Sequence, residues 1–154
     1  MAVMVTKSTP KPPIKVQVLR RFDTSAERIF DAFLDPVQAG KFMFATPTGK
    51  MIRAHVEPRV GGAFVFIDQR PNGNAEHYGT FTELTRPRRL AFRFAVEKDA
   101  KESDLVTIDI VPRDRRCEVV LTHEMNAKFS EFKDRVAEGW TSILSGLAAT
   151  ILSN

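Results

Sequence analysis

The sequence predicts an α+β domain in which a long, curved antiparallel sheet of about seven strands closes around one terminal α-helix. Three observations carry this. Across residues 127–153 the apolar side chains Phe129, Phe132, Val136, Trp140, Ile143, Leu144, Leu147, Ala148 and Ile151 recur three or four positions apart, the period of a single long amphipathic helix. From Met51 onward the period changes to two through six successive segments, the pattern of half-buried strands. At 154 residues and 43% apolar, the chain has the size for one hydrophobic core, and such a helix needs a sheet of this extent to cover its apolar stripe.

In order, residues 1–13 read as a loose tail broken by Pro10, Pro12 and Pro13, and residues 14–154 as a single domain. Ile14, Val16 and Val18 alternate as a first strand that runs to about Phe22. Thr24 or Ser25 can then cap a helix with Glu27 in its first turn and Ile29, Phe30, Phe33 and Leu34 on its apolar face, stopped by Asp35-Pro36. A second short helix is expected near residues 37–44. Strands follow at about 51–58, 62–70, 76–85, 89–97, 104–112 and 116–124. They are separated by Gly61-Gly62, Pro71-Asn72-Gly73-Asn74, Arg86-Pro87-Arg88 and Pro112-Arg113-Asp114, the turn chemistry of consecutive hairpins. The charged stretch 98–104 reads as a longer loop.

Composition narrows the function classes. The lone Cys117 can form no internal disulfide and belongs to no cysteine-rich metal site. With neither a signal-peptide core nor a membrane-length apolar run, a soluble cytoplasmic protein without membrane insertion is expected. The net charge of +4 and pI of about 9.5 invite a nucleic-acid reading. However, the arginines cluster as Arg20-Arg21, Arg86/Arg88/Arg89 and Arg113/Arg115/Arg116 without interleaved aromatics, so solvated turn charge and no nucleic-acid partner are expected. His55, His77 and His123 lack metal-ligand spacing, and no nucleophile elbow, phosphate-cradling loop or dinucleotide fingerprint is present, so no metal or cofactor is expected.

Several local motifs occur together: Phe22-Asp23 leading into residues 26–33 and Asp35-Pro36; Arg59-Val60-Gly61-Gly62-Ala63-Phe64; Arg88-Arg89-Leu90-Ala91-Phe92; Leu121-Thr122-His123-Glu124; and Glu138-Gly139-Trp140. In this order the chain resembles, over about residues 14–152, the family named for homologues of the activator of Hsp90 ATPase. That family lies within the START-like helix-grip superfamily, which also holds lipid-transfer domains, polyketide cyclases and plant pathogenesis-related allergens. The resemblance implies the helix-grip fold and three alternative functions: binding of a hydrophobic small molecule or lipid-like ligand in an internal cavity, activation of an Hsp90-class chaperone, or cyclase, dehydratase or hydrolase chemistry in the same cavity. Where the family often carries a tryptophan pair, this chain has Lys41-Phe42-Met43-Phe44, which keeps apolar bulk and loses both indole N–H donors.

Matching these motifs puts Phe64, Phe66 and Asp68 on one inward face, Leu90, Phe92, Phe94 and Val96 on another, and Val119, Leu121 and His123 on the last. Phe132 and Trp140 would join them from the helix. The expected ligand-binding set is Phe64, Phe66, Asp68, Phe92, Phe94, Leu121, Phe132 and Trp140. Twelve Phe against one Trp and one Tyr favour an apolar ligand. His123 and Glu138 are the candidate proton-transfer groups, with His77, Tyr78, Arg93 and Asp109 as further polar strand residues. Gly139 costs about 1 kcal/mol in mid-helix, which suggests that a strand or a ligand needs the space beside it. Ala63, Val65 and Ile67 occupy the opposite face of their strand, and an apolar surface there suggests a homodimer mate or a covering tail.

Overall fold

The structure is a computed structural model that describes residues 11–152; residues 1–10 of the expected tail, and residues 153–154, lie outside the described residues. The described elements are β1 (Ile14–Phe22), α1 (Ala26–Leu34), α2 (Pro36–Phe42), β2 (Lys50–Val56), β3 (Ala63–Arg70), β4 (Gly73–Thr85), β5 (Arg89–Ala95), β6 (Asp104–Arg113), β7 (Arg116–Met125), a 3₁₀ turn (Ala127–Phe132) and α3 (Lys133–Leu152). All strand pairs are antiparallel, in the order β1-β7-β6-β5-β4-β3-β2. The first strand thus pairs with the last, and the two short helices cross from one sheet edge to the other.

Local chemistry explains the joints. The Ser25 side chain accepts from the Arg28 N–H at the start of α1, and Asp35 both ends α1 and caps α2 by accepting from the Val37 N–H, with Pro36 in the first turn. In the β3–β4 hairpin Arg70 pairs with Gly73, whose φ of +123° is open to glycine alone. Asp114, at φ +56°, turns β6 into β7, a backbone position that aspartate tolerates better than most residues.

The expected helix over 127–153 starts later than its periodicity implies. Asn126 caps the 3₁₀ turn through its side chain, Phe129 has non-helical backbone angles (φ −102°, ψ 19°), and the α-helix begins only at Lys133. Trp140, Ile143, Leu144, Leu147, Thr150 and Ile151 form its buried stripe, and a fully buried Leu or Ile there contributes about 1.5–3 kcal/mol. Near its far end α3 packs on α2, where Gly146 lets the helix approach Phe42. Arg28 of α1 donates to the Ile151 carbonyl at the end of α3, so the helix pair cradles that end.

The register sets the inward rows. Phe64 faces Gly79, Gly79 faces Phe94, and Phe94 faces Asp104; Phe81, Phe92, Val106 and His123 form a second row, and Leu90, Ile108 and Leu121 a third. Apart from Phe94 and Asp104, which are half-buried, these side chains are buried between sheet and helices. Val96, expected in line with Phe94, lies beyond the end of β5 and is exposed. On the outer face, Ala63, Val65 and Ile67 are half-buried beside Thr80, Tyr78 and Glu76 of β4. Within the clustered arginines, Arg86 pairs with Asp31, Arg89 with Asp109, Arg21 with Glu118 and Arg116 with Asp23. No helix among the described residues is long and apolar enough to cross a membrane.

Candidate functional site

Three groups of side chains meet between the sheet and the first half of α3. The first is a polar chain. Trp140 Nε1 lies 2.8 Å from His123 Nδ1, and His123 Nε2 lies 2.8 Å from Asp104 Oδ2. An indole N–H can only donate, so Nδ1 accepts; the imidazole proton then sits on Nε2 and is donated to Asp104. Both ring nitrogens of this buried histidine are thereby engaged with the protein.

The second group is aromatic and centres on Phe44, in the segment between α2 and β2. Its ring lies 4.1 Å from His77 and 5.0 Å from Phe94, within 6° of parallel to each. His77 and Phe94 are themselves nearly parallel, at 7° and 6.2 Å. A ring sandwiched between them would separate their planes by two stacking gaps of about 3.5 Å each, more than that centroid distance. Instead His77 and Phe94 lie side by side as one platform, with Phe44 flat across both. Trp140 (5.6 Å), Phe66 (6.1 Å) and Phe64 (6.5 Å) surround the same ring. The place where the expected lining converges therefore holds a side chain of the protein's own. Phe44 has φ +61°, the left-handed region in which a bulky residue is strained by about 1–3 kcal/mol.

The third group fixes the segment that carries Phe44. Asp68 is 1% exposed. Its Oδ2 accepts from the Thr46 hydroxyl at 2.7 Å and from Arg70 Nε at 3.0 Å, while Arg70 Nη2 donates to the Phe44 carbonyl at 3.0 Å. Gly49 packs so closely that a Cβ there would fall 2.2 Å from Asp68 Oδ2. The other carboxylate oxygen, Oδ1, is buried without a hydrogen-bond partner, which is uncommon and costly for an acceptor.

Burial holds the His77 imidazole below its ordinary value of 6.5, with Arg70 pushing the same way and the Phe66 carbonyl and Asp68 opposing. Since an unfolded chain would bind that proton more readily, stability should fall as the pH drops below the ordinary imidazole value. Urea unfolding should show the midpoint declining more steeply from about pH 7 to about pH 5 in the wild type than in His77→Phe. Parallel declines would contradict a neutral, desolvated ring.

Of the expected lining, Phe64, Phe66, Asp68, Phe92, Phe94, Leu121 and Trp140 share this interior. Phe132 does not: it falls in the 3₁₀ turn, is 40% exposed and packs on Phe129. Glu138 is exposed on α3 away from the cluster, and a Cβ at Gly139 would meet nothing within 4 Å, so neither strand nor lining approaches that glycine. The residues the sequence reading missed are Phe44 and Asp104. Asp104 stands where the charged stretch meets the start of the expected strand 104–112; carrying the alternation of Ile110, Ile108 and Val106 two residues back places it on the inward row.

An open groove of about 720 Å³ adjoins the interior at the sheet end, lined by Phe94, Asp104, Leu105, Met125 and Phe129 among others. Because Phe94 and Asp104 belong to both, the groove reaches the aromatic cluster. A second groove, of about 690 Å³, runs over the outer face past Val65, Ile67 and Tyr78.

A curved seven-stranded sheet holding one long helix over an aromatic interior defines a helix-grip domain. The chain belongs to the activator of Hsp90 ATPase homolog 1-like protein family, whose model matches residues 23–151. Its fold is similar to that of a crystal structure of a protein from Rhodobacter sphaeroides (19% identity over 90% of this chain and 92% of that one, TM-score 0.78). It is also similar to the solution structure of an AHSA1-like protein from Aeromonas hydrophila (20% identity, 91% and 93% covered, TM-score 0.77) and to CalU16 from Micromonospora echinospora (22% identity, 90% and 76% covered, TM-score 0.66). At these identities the likeness is one of fold. No curated protein matches the chain.

Proposed function

We propose that this protein binds a hydrophobic small molecule between its sheet and α3, entering from the groove beside Phe94 and Asp104. The observation that carries the reading is the position of Phe44. A single side chain from an irregular segment, in a strained backbone conformation, fills the centre of an aromatic enclosure whose other walls belong to the sheet and α3. Rings built into strands and a helix are held by the hydrogen-bond ladders of those elements, whereas Phe44 hangs from a segment tied down by the side chains of Thr46 and Arg70 and can move without breaking a ladder. The enclosure is apolar with a few convergent polar atoms, the usual make-up of a small-molecule site. No proton-transfer step is assigned, because His123 is engaged at both ring nitrogens and Glu138 stands outside.

Trp140 is the only tryptophan and lies in the enclosure wall, which makes it an internal reporter. Titration with 1-anilinonaphthalene-8-sulfonate under native conditions should give saturable one-to-one binding with energy transfer from Trp140 and an unchanged far-ultraviolet circular dichroism spectrum. Binding without saturation, or no energy transfer, would overturn the proposal.

A further inference from the structure

We propose that Phe44 holds the place of a planar aromatic ligand bearing a hydrogen-bond donor, and that such a ligand binds by displacing the Phe44 ring from the His77–Phe94 platform and donating to Asp68. This rests on the binding function proposed above and names the ligand class and the side chain that yields.

Shape comes from the platform. His77 and Phe94 project from β4 and β5 with their rings within 7° of each other, so together they offer a flat surface about two rings wide. A flat occupant gains dispersion contact over its whole face, and offset stacking on both rings with tilted contacts to its edges is the arrangement aromatic groups favour. Phe44 demonstrates the fit: it is stacked at 6° on both platform rings and meets Trp140 at 62° and Phe66 at 52°. An aliphatic chain would cover the platform less completely.

Polarity comes from two acceptors that Phe44 cannot use. Asp68 Oδ1 is buried and unpartnered although the rest of its carboxylate is bonded. His77 Nδ1 lies 3.1 Å from the Phe66 carbonyl; a carbonyl only accepts, so Nδ1 carries the proton and Nε2 is left as an acceptor. A hydrocarbon ring such as that of Phe44 can donate a hydrogen bond to neither. A ligand with an N–H or O–H on its rim can complete the Asp68 carboxylate, and its loss should be felt because the alternative is a buried acceptor without a partner.

The displacement is local. Asp68 and the Phe44 carbonyl are held by one guanidinium, that of Arg70, so Phe44 can leave by giving up one hydrogen bond while Thr46 keeps its own. Phe44 at the same time leaves a backbone conformation that strains it. A ligand competing with this ring binds more weakly than it would to the opened form, by the fraction of molecules that are open.

Indole and 1-methylindole separate these terms, since they share a flat shape and differ in the N–H donor. By isothermal titration calorimetry, Phe44→Ala should bind indole roughly tenfold or more tightly than the wild type does, and should prefer indole to 1-methylindole. Phe44→Leu, which keeps apolar volume without a flat face, should move in the same direction and serves if the alanine variant does not fold. In the wild type saturated with indole, the nuclear Overhauser contacts between the Phe44 ring and Trp140 should vanish. Equal indole affinity in wild type and variants, or persistence of those contacts at saturation, would overturn the displacement. So would absence of indole binding from all three proteins. In each case the anilinonaphthalene titration, which needs no hydrogen-bond donor and no stacking on the His77–Phe94 platform, would still report on the broader binding function. Equal affinity for indole and 1-methylindole in Phe44→Ala would overturn the donor to Asp68.

Discussion

Replacing Trp140 with alanine is expected to destabilise the protein by about 3–5 kcal/mol, the usual cost of truncating a large buried aromatic. The side chain is 3% exposed and meets Phe44, Phe92, Phe94 and His123. Trp140→Phe keeps most of that packing and removes only the donor to His123 Nδ1. It should cost about 1–3 kcal/mol, the penalty for a buried acceptor left without its partner. Urea denaturation followed by circular dichroism at 222 nm measures both. A neutral Trp140→Phe would contradict the hydrogen-bonded chain from Trp140 through His123 to Asp104, and a cost for Trp140→Ala no greater than that of Trp140→Phe would contradict the packing.

The second large effect lies across the enclosure. Phe64 is buried against Phe44, Phe66, Phe81 and Phe92, and Phe64→Ala should cost about 3–5 kcal/mol. Its ring lies directly over Gly79, where an added Cβ would fall 2.0 Å from Phe64 Cε2. Because that ring is hemmed in by three others on the sheet, it cannot swing aside freely, and Gly79→Ala alone should cost about 1–3 kcal/mol. The two penalties share a cause. In the Phe64→Ala background the new methyl enters space the ring has vacated, so the double variant should be more stable than the sum predicts by about 0.5–3 kcal/mol. Strict additivity in a double-mutant cycle would show that Phe64 does not cover Gly79.

The alternation of Phe64, Phe66 and Asp68, and of Val119, Leu121 and His123, was legible because a sheet with one buried face repeats strictly at two. The start of α1 at Thr24 or Ser25 and its stop at Asp35-Pro36 were legible for a similar reason: both rest on local chemistry between near neighbours. What the sequence left hidden is what depends on direction in space. Periodicity alone ran the terminal helix back through Phe129 and Phe132, but the Asn126 cap and the irregular Phe129 backbone turn both rings outward. Phe44 sits in an irregular segment with left-handed backbone angles, so no period announces that its ring reaches the centre of the fold. Asp104 was obscured by the charged loop before it, and its partnership with His123 spans 19 residues.

The binding site between sheet and helix is tested most directly by the indole N–H signal of Trp140 in a ¹H–¹⁵N spectrum, one resonance from the chain's single tryptophan, followed as unlabelled indole is added. It should shift and saturate together with the backbone signals of Phe94 and Leu121. If it stays in place while Val65 and Tyr78, on the outer groove, move instead, the ligand lies on the far side of the sheet and the enclosed site is wrong.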